Sequence, residues 1–87
     1  MSLPEWAEIA RDRLADIWVL ATPDERARIE SIVLQFERDV ADDPFHVGES
    51  RGGDLRIEVR MPLVFWFRVS DKGVRVRIVS VTRPAKS

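Results

Sequence analysis

Residues 55–82 read Leu-Arg-Ile-Glu-Val-Arg-Met-Pro-Leu-Val-Phe-Trp-Phe-Arg-Val-Ser-Asp-Lys-Gly-Val-Arg-Val-Arg-Ile-Val-Ser-Val-Thr, and this run decides the fold. Leu55, Ile57, Val59 and Met61 alternate with Arg56, Glu58 and Arg60, the period-two pattern of a strand with one apolar face. Pro62 ends that strand or bends it sharply. Leu63 to Val69 is nearly all apolar, as a central strand covered on both faces should be. Ser70-Asp71-Lys72-Gly73 has the chemistry of a hairpin turn, with Gly73 free to take positive φ. Val74, Val76 and Ile78 then alternate with Arg75 and Arg77 in a last strand reaching Thr82. Strands over 55–61, 63–69 and 74–82 make an antiparallel meander.

Upstream the period changes from two to 3.6. Thr22-Pro23-Asp24-Glu25 is a helix start: a capping hydroxyl, Pro at the first helical position and an acid placed to close a capping box. Ile29, Ile32, Val33, Phe36 and Val40 follow at helical spacing, and Pro44 biases Asp43 out of the helix, so the second helix runs over 23–41. Ser2-Leu3-Pro4-Glu5 carries a similar signature. Trp6, Ile9, Ala10, Leu14, Ile17, Trp18 and Ala21 then form one stripe, predicting a first helix over 4–20 with both tryptophans in the core. The two helices form an αα-hairpin. Residues 42–54, rich in Gly, Ser and charge, read as a loop, and Pro84 to Ser87 as a short frayed tail. The expected class is α+β, a helical hairpin packed on a three-stranded meander, within a single domain over 1–87.

Strand parity sorts the side chains. With Leu55/Ile57/Val59, Leu63/Phe65/Phe67 and Val74/Val76/Ile78 turned to the helices, the opposite face holds Arg56, Glu58, Arg60, Val64, Trp66, Arg68, Arg75, Arg77, Val79 and Val81. Arginine stems lying over apolar surface would explain such a face. A contact surface explains it better, because Trp and Arg are enriched where binding energy concentrates. Charge supports this reading. Residues 1–43 hold 11 Asp/Glu against 5 Lys/Arg, whereas residues 44–87 hold 9 Lys/Arg against 4 Asp/Glu, an asymmetry hidden by the whole-chain net of −1. The binding face expected is Arg56, Arg60, Trp66, Arg68, Arg75 and Arg77, offered to a polyanion or an acidic partner.

Other chemistries find little support. The chain has no cysteine, which excludes disulfides, thiolate metal sites and Cys nucleophiles. No apolar run has the length of a membrane span and no secretory signal is apparent, so the expected location is cytoplasmic. His46 is the one histidine and reads as a surface residue. Ser50, Ser70 and Ser80 lack a triad-like partner set. Asp39, Asp42 and Asp43 lack an EF-hand pattern, so no metal is expected. Gly52-Gly53 fits no phosphate loop, and no cofactor is expected.

The order helix, helix, Asp43-Pro44, Gly48-Glu49-Ser50-Arg51 and strands ending in Thr82-Arg83 resembles the RelE/ParE superfamily of bacterial toxin–antitoxin toxins. The run Arg56-Ile57-Glu58-Val59, the strand Phe65–Val69, Asp71 in its turn and Val79-Ser80-Val81 before a basic residue carry the likeness along nearly the whole chain. Members usually begin with an extra strand; with three residues before Pro4, that strand is expected to be missing, leaving an open sheet edge suited to homodimerisation. The resemblance implies an antitoxin partner, a role in plasmid stabilisation, and one of two activities. The RelE branch cuts mRNA on the ribosome with basic side chains, and the ParE branch binds DNA gyrase without chemistry. Carried over by position, the catalytic candidates are Arg56, Arg60 and Arg83. Glu58 stands where a basic residue belongs and Val64 where RNA-cutting members tend to carry Arg. The chain has no tyrosine, and it stops four residues after Arg83, short of the family's catalytic tail. Each lost charge-stabilising donor typically costs about 10²–10³ in rate. The expectation is a toxin-type domain acting by macromolecular binding, with ribosome-dependent cleavage as the alternative.

Overall fold

The computed structural model describes residues 3–84. The chain runs β1 (Glu5–Trp6), α1 (Glu8–Val19), α2 (Pro23–Asp42), β2 (Glu49–Ser50), β3 (Leu55–Arg60), β4 (Leu63–Ser70) and β5 (Arg75–Thr82). Short 3-10 turns occupy Pro44–His46 and Asp71–Gly73. The sheet has five strands in the order β1-β5-β4-β3-β2. It is antiparallel except for β1, which lies parallel to β5.

The meander and the hairpin of helices stand as expected, and the differences lie at the edges. The helix start expected at Pro4 and Glu5 is a strand instead. Glu5 and Trp6 pair with Arg77 and Ile78, and the Ala7 N–H donates to the Ile78 carbonyl at 2.9 Å. The helix then begins at Glu8, with Ala7 at the cap position and no side-chain cap. The β5 edge offers unpaired carbonyls and N–H groups, and satisfying these outweighs a local capping preference. The expected cap, Ser2, lies outside the described residues, as do residues 85–87 of the expected tail. The opening strand thought to be missing is therefore present, and β1 occupies the edge on which dimerisation was expected. At the other edge, part of the expected loop forms β2, pairing Glu49 and Ser50 with Ile57 and Arg56. Gly48 makes this approach feasible: its φ is +71°, and a Cβ there would lie 2.2 Å from the Ile57 carbonyl oxygen.

The second helix begins as its sequence dictates. Thr22 Oγ1 accepts the Glu25 N–H, and Glu25 accepts the Thr22 N–H in return. The helix lays Ile29, Phe36 and Val40 on the sheet. Phe36 stacks on Phe65 at 3.9 Å between centroids and meets Phe67 edge-on at 5.4 Å. Val76, Ile78 and Val81 complete this core, to which α1 contributes one buried residue, Ala10.

Candidate functional site

Which face each strand residue takes follows from register, because directly opposed residues of an antiparallel pair point the same way. In β3, Arg56 faces Phe67, Glu58 faces Phe65 and Arg60 faces Leu63. Those partners are fully buried beneath the helices. The β3 parity is thus the reverse of the sequence expectation: Arg56, Glu58 and Arg60 lie on the helix side, and Leu55, Ile57 and Val59 on the bare side. Alternation gives the period of a strand but not its phase. Here β3 lies beyond most of the helical layer, where the polar groups of the α2 end and the following loop await it. A second reversal occurs in β5. Trp66 opposes Ser80 while Phe67 opposes Ile78, so Val79 is an extra, bulged residue. Val81 is consequently turned inward and fully buried rather than outward.

The expected binding face therefore divides. Trp66, Arg68, Arg75 and Arg77 share the bare side; Arg56 and Arg60 do not. On the bare side the rows run Val59–Val64–Thr82, then Ile57–Trp66–Ser80, then Leu55–Arg68–Arg77–Glu5. One end is apolar and the other cationic, with a half-buried indole between them. Arg68 directly opposes Arg77, a like-charge pairing that costs stability unless anions accompany it. Among the described residues each guanidinium has one acidic neighbour, close for Arg68 and loose for Arg75 and Arg77. Arg68 meets Asp54 at 2.7 Å, Arg75 meets Asp71 at 3.8 Å and Arg77 meets Glu5 at 3.9 Å, and each of the three arginine side chains is more than half exposed. Such surface pairs contribute about 0–1 kcal/mol, and a partner's carboxylates can replace them.

The helix-side arginines are held differently. Arg56 donates to the carbonyls of Val47 (3.0 Å), Phe45 (3.1 Å) and Gly48 (2.9 Å), clasping the loop onto the sheet. Arg60 donates to Asp39 at 2.8 Å and Glu58 at 2.9 Å and lies 5.4 Å over the Phe36 ring. The Asp39 carboxyl is held below its ordinary pKa, first by the Gln35 amide donating at 3.0 Å and then by Arg60, with burial opposing. Arg83 donates to Glu25, whose pKa is lowered first by the Thr22 backbone N–H and then by Arg83. All three catalytic candidates are thus engaged by the chain's own acceptors. His46 pairs with Asp43 on the exposed turn, and Ser50 Oγ accepts the Gly52 N–H at 3.3 Å. Neither neighbours a further reactive group. Among the described residues no cluster of three or more His, Asp or Glu could hold a metal ion, and no helix is long and apolar enough to cross a membrane.

One feature escaped the sequence reading. Trp6 and Trp18, expected in the core, are only half-buried; with Leu14, Val33, Arg11 and Glu37 they line an open cavity of about 490 Å³ between α1 and α2. The signal was present in α1, which carries Ala10 and Ile17 toward the sheet and Leu14 and Trp18 beside them, a wider apolar arc than a sheet contact alone can cover.

No protein-family model and no curated protein sequence matches the chain. Solved structures do. A chain of the RelBE2 toxin–antitoxin complex from Mycobacterium tuberculosis superposes with a TM-score of 0.71 at 20% identity, covering 97% of this chain and 100% of that one. A chain of the chromosomal ParDE system from P. aeruginosa gives 0.68 at 25% identity, with 98% of each chain covered. A chain of the intact E. coli RelBE toxin–antitoxin complex gives 0.61 at 18% identity, covering 99% of this chain and 100% of that one.

Proposed function

We propose that this chain, which has the fold of the RelE/ParE toxins, works by binding a protein rather than by cutting RNA. One observation carries the reading: Arg56, Arg60 and Arg83 are spent on the chain's own carbonyls and part-buried carboxylates, whereas Arg68, Arg75 and Arg77 each meet one exposed carboxylate at the cationic end of the open sheet face that Trp66 shares. A phosphodiester-cleaving site needs donors aimed at developing negative charge and free of internal partners. A docking face needs an aromatic anchor, apolar surface around it and cations at the rim.

The partner fitting this face is an antitoxin-like protein presenting an acidic, partly apolar segment to Trp66 and the arginines. Its counterpart in the cell is a cytoplasmic macromolecule held without chemistry, which suits a gyrase-type target better than mRNA on the ribosome. Trp66→Ala should weaken the complex with a co-expressed antitoxin by roughly 2 kcal/mol if the indole is a hot spot. Titration calorimetry checks this, and an unchanged dissociation constant removes Trp66 from the face. Toeprinting of a translated mRNA with added protein decides the catalytic alternative: new cleavage ends would restore it.

A further inference from the structure

We infer that the occupant of the bare sheet face is an α-helix of the partner, laid along β4, whose contact stripe is apolar at one end and acidic at the other. This deepens the protein-binding reading, on which it rests, by giving the form of the partner's segment and the order of its side chains. That order is built into β4. Val64, Trp66, Arg68 and Ser70 succeed one another on the bare side at two-residue steps, each about 6.7 Å long. Val59 and Ile57 of β3 flank the first two, and Arg77 and Arg75 of β5 flank the last two. Two apolar rows are thus followed by two rows that carry cations.

The cationic rows are short of acceptors. A guanidinium carries five N–H donors. Among the described residues Arg68 makes one side-chain hydrogen bond, to Asp54, and the pairs Arg75–Asp71 at 3.8 Å and Arg77–Glu5 at 3.9 Å lie beyond hydrogen-bond reach. The three carboxylates sit at the rim, on β1, before β3 and after β4, and they balance charge while leaving most of these donors to water. An apolar or cationic cover would strip that water and strand the donors. The cover must therefore bring acceptors, and carboxylates are the strongest a protein offers.

Backbone chemistry sets the form. A segment lying flat on a sheet, about 10 Å above it, has no strand edge to pair with. Its N–H and C=O groups must be satisfied within the segment, which an α-helix does. Helix positions i, i+4, i+8 and i+11 share one stripe and fall at about 0, 6, 12 and 17 Å, against rows at about 0, 7, 13 and 20 Å. Apolar residues at i and i+4 then meet Val64 and Trp66. Asp or Glu at i+8 and i+11 meets the Arg68–Arg77 pair and Arg75, whose long stems span the remaining gap. A nucleic-acid strand fits less well, because it needs successive aromatic platforms, and the bare side of β4 offers the one indole of Trp66.

The test uses the full chain and fluorescein-labelled 14-residue peptides on an alanine-rich helix, followed by anisotropy at low salt. The matched peptide has Leu at i and i+4 and Glu at i+8 and i+11. The mismatched peptide has the same composition with its Glu pair at i+6 and i+9, on the opposite side of the helix. The matched peptide should bind about tenfold more tightly. Changing its last Glu to Gln should weaken binding to the unaltered protein about threefold, and leave binding to Arg75→Gln unchanged because that pair is already broken. Arg75 is more than two-thirds exposed, so this variant should keep its circular dichroism spectrum and unfolding midpoint. Equal affinity for the two peptides, the same threefold loss against Arg75→Gln, or tighter binding of a single-stranded oligonucleotide than of the matched peptide overturns the proposal. The two claims fail separately. If Trp66→Ala weakens the antitoxin complex while the peptides bind alike, the face binds protein in another form and the helix is lost. If Trp66→Ala leaves that complex unchanged, the face itself falls and the helix with it.

Discussion

The two faces of one sheet use the same side chain for opposite ends. On the helix side, Arg60 is about a fifth exposed and holds two carboxylates, and Arg56 holds three loop carbonyls. On the bare face, Arg77 is more than half exposed and has one carboxylate at the limit of an ion pair. Residue type is therefore a poor guide to whether a guanidinium can meet a ligand. What stands opposite it decides, and that is set by strand phase.

If the helix side is a built interior and the bare side a surface, truncations should divide sharply between them. The largest loss is expected from Phe36→Ala, which removes the ring stacked on Phe65 and edge-on to Phe67. Its cost should be about 3–5 kcal/mol in urea unfolding, a large part of the stability of a domain this size. A loss below about 2 kcal/mol would mean that the α2 contact with the sheet is looser than the stacking indicates.

Next comes Arg60→Ala, which strands Asp39 and Glu58 side by side without a cation. Partly buried and losing charged hydrogen bonds, the site should cost about 1–3 kcal/mol. Arg60→Met, which keeps much of the stem over Phe36, should recover only the packing part. Full recovery by Met would show that the ion pairs contribute nothing and that the two faces differ in shape rather than in charge.

The sequence made part of this contrast legible. Helical period and capping chemistry placed α2 almost to the residue, because Thr22, Pro23 and Glu25 act locally. Strand alternation found β3, β4 and β5 for the same reason. Phase was not legible, since nothing within 55–60 says whether Asp39, far back in the chain, will stand above Arg60. Nor was β1, whose two residues are a strand only because the β5 edge is there to receive them. The bulge at Val79 turned Val81 inward with no glycine to announce it. Trp66, Arg68, Arg75 and Arg77 lie on the bare side, as their parity predicts, because β4 and the first half of β5 keep one unbroken alternation.

Acid should act on the helix side. Asp39 and Glu25 have folded pKa values below their ordinary ones, so each binds fewer protons folded than unfolded near pH 4. Their contributions are complete above the unfolded pKa and are lost as pH falls through the lower folded value. Unfolding midpoints should thus drop below about pH 4. Asp39→Asn should flatten that acid limb while lowering stability at neutral pH, as followed by urea denaturation from pH 2.5 to 7. An acid limb unchanged by Asp39→Asn would assign the loss to other carboxylates.

The smallest effect is expected on the bare face, and it tests the contrast most closely. Arg77→Ala removes one loose pair with Glu5 and also relieves the opposition to Arg68. The first change costs a few tenths of a kcal/mol and the second returns a similar amount, so stability should move by less than about 0.5 kcal/mol. Partner binding should weaken severalfold in the same variant. A loss of stability above about 1 kcal/mol with partner binding unchanged would make these arginines a structural network. The face would then be a solvated sheet with no docking role.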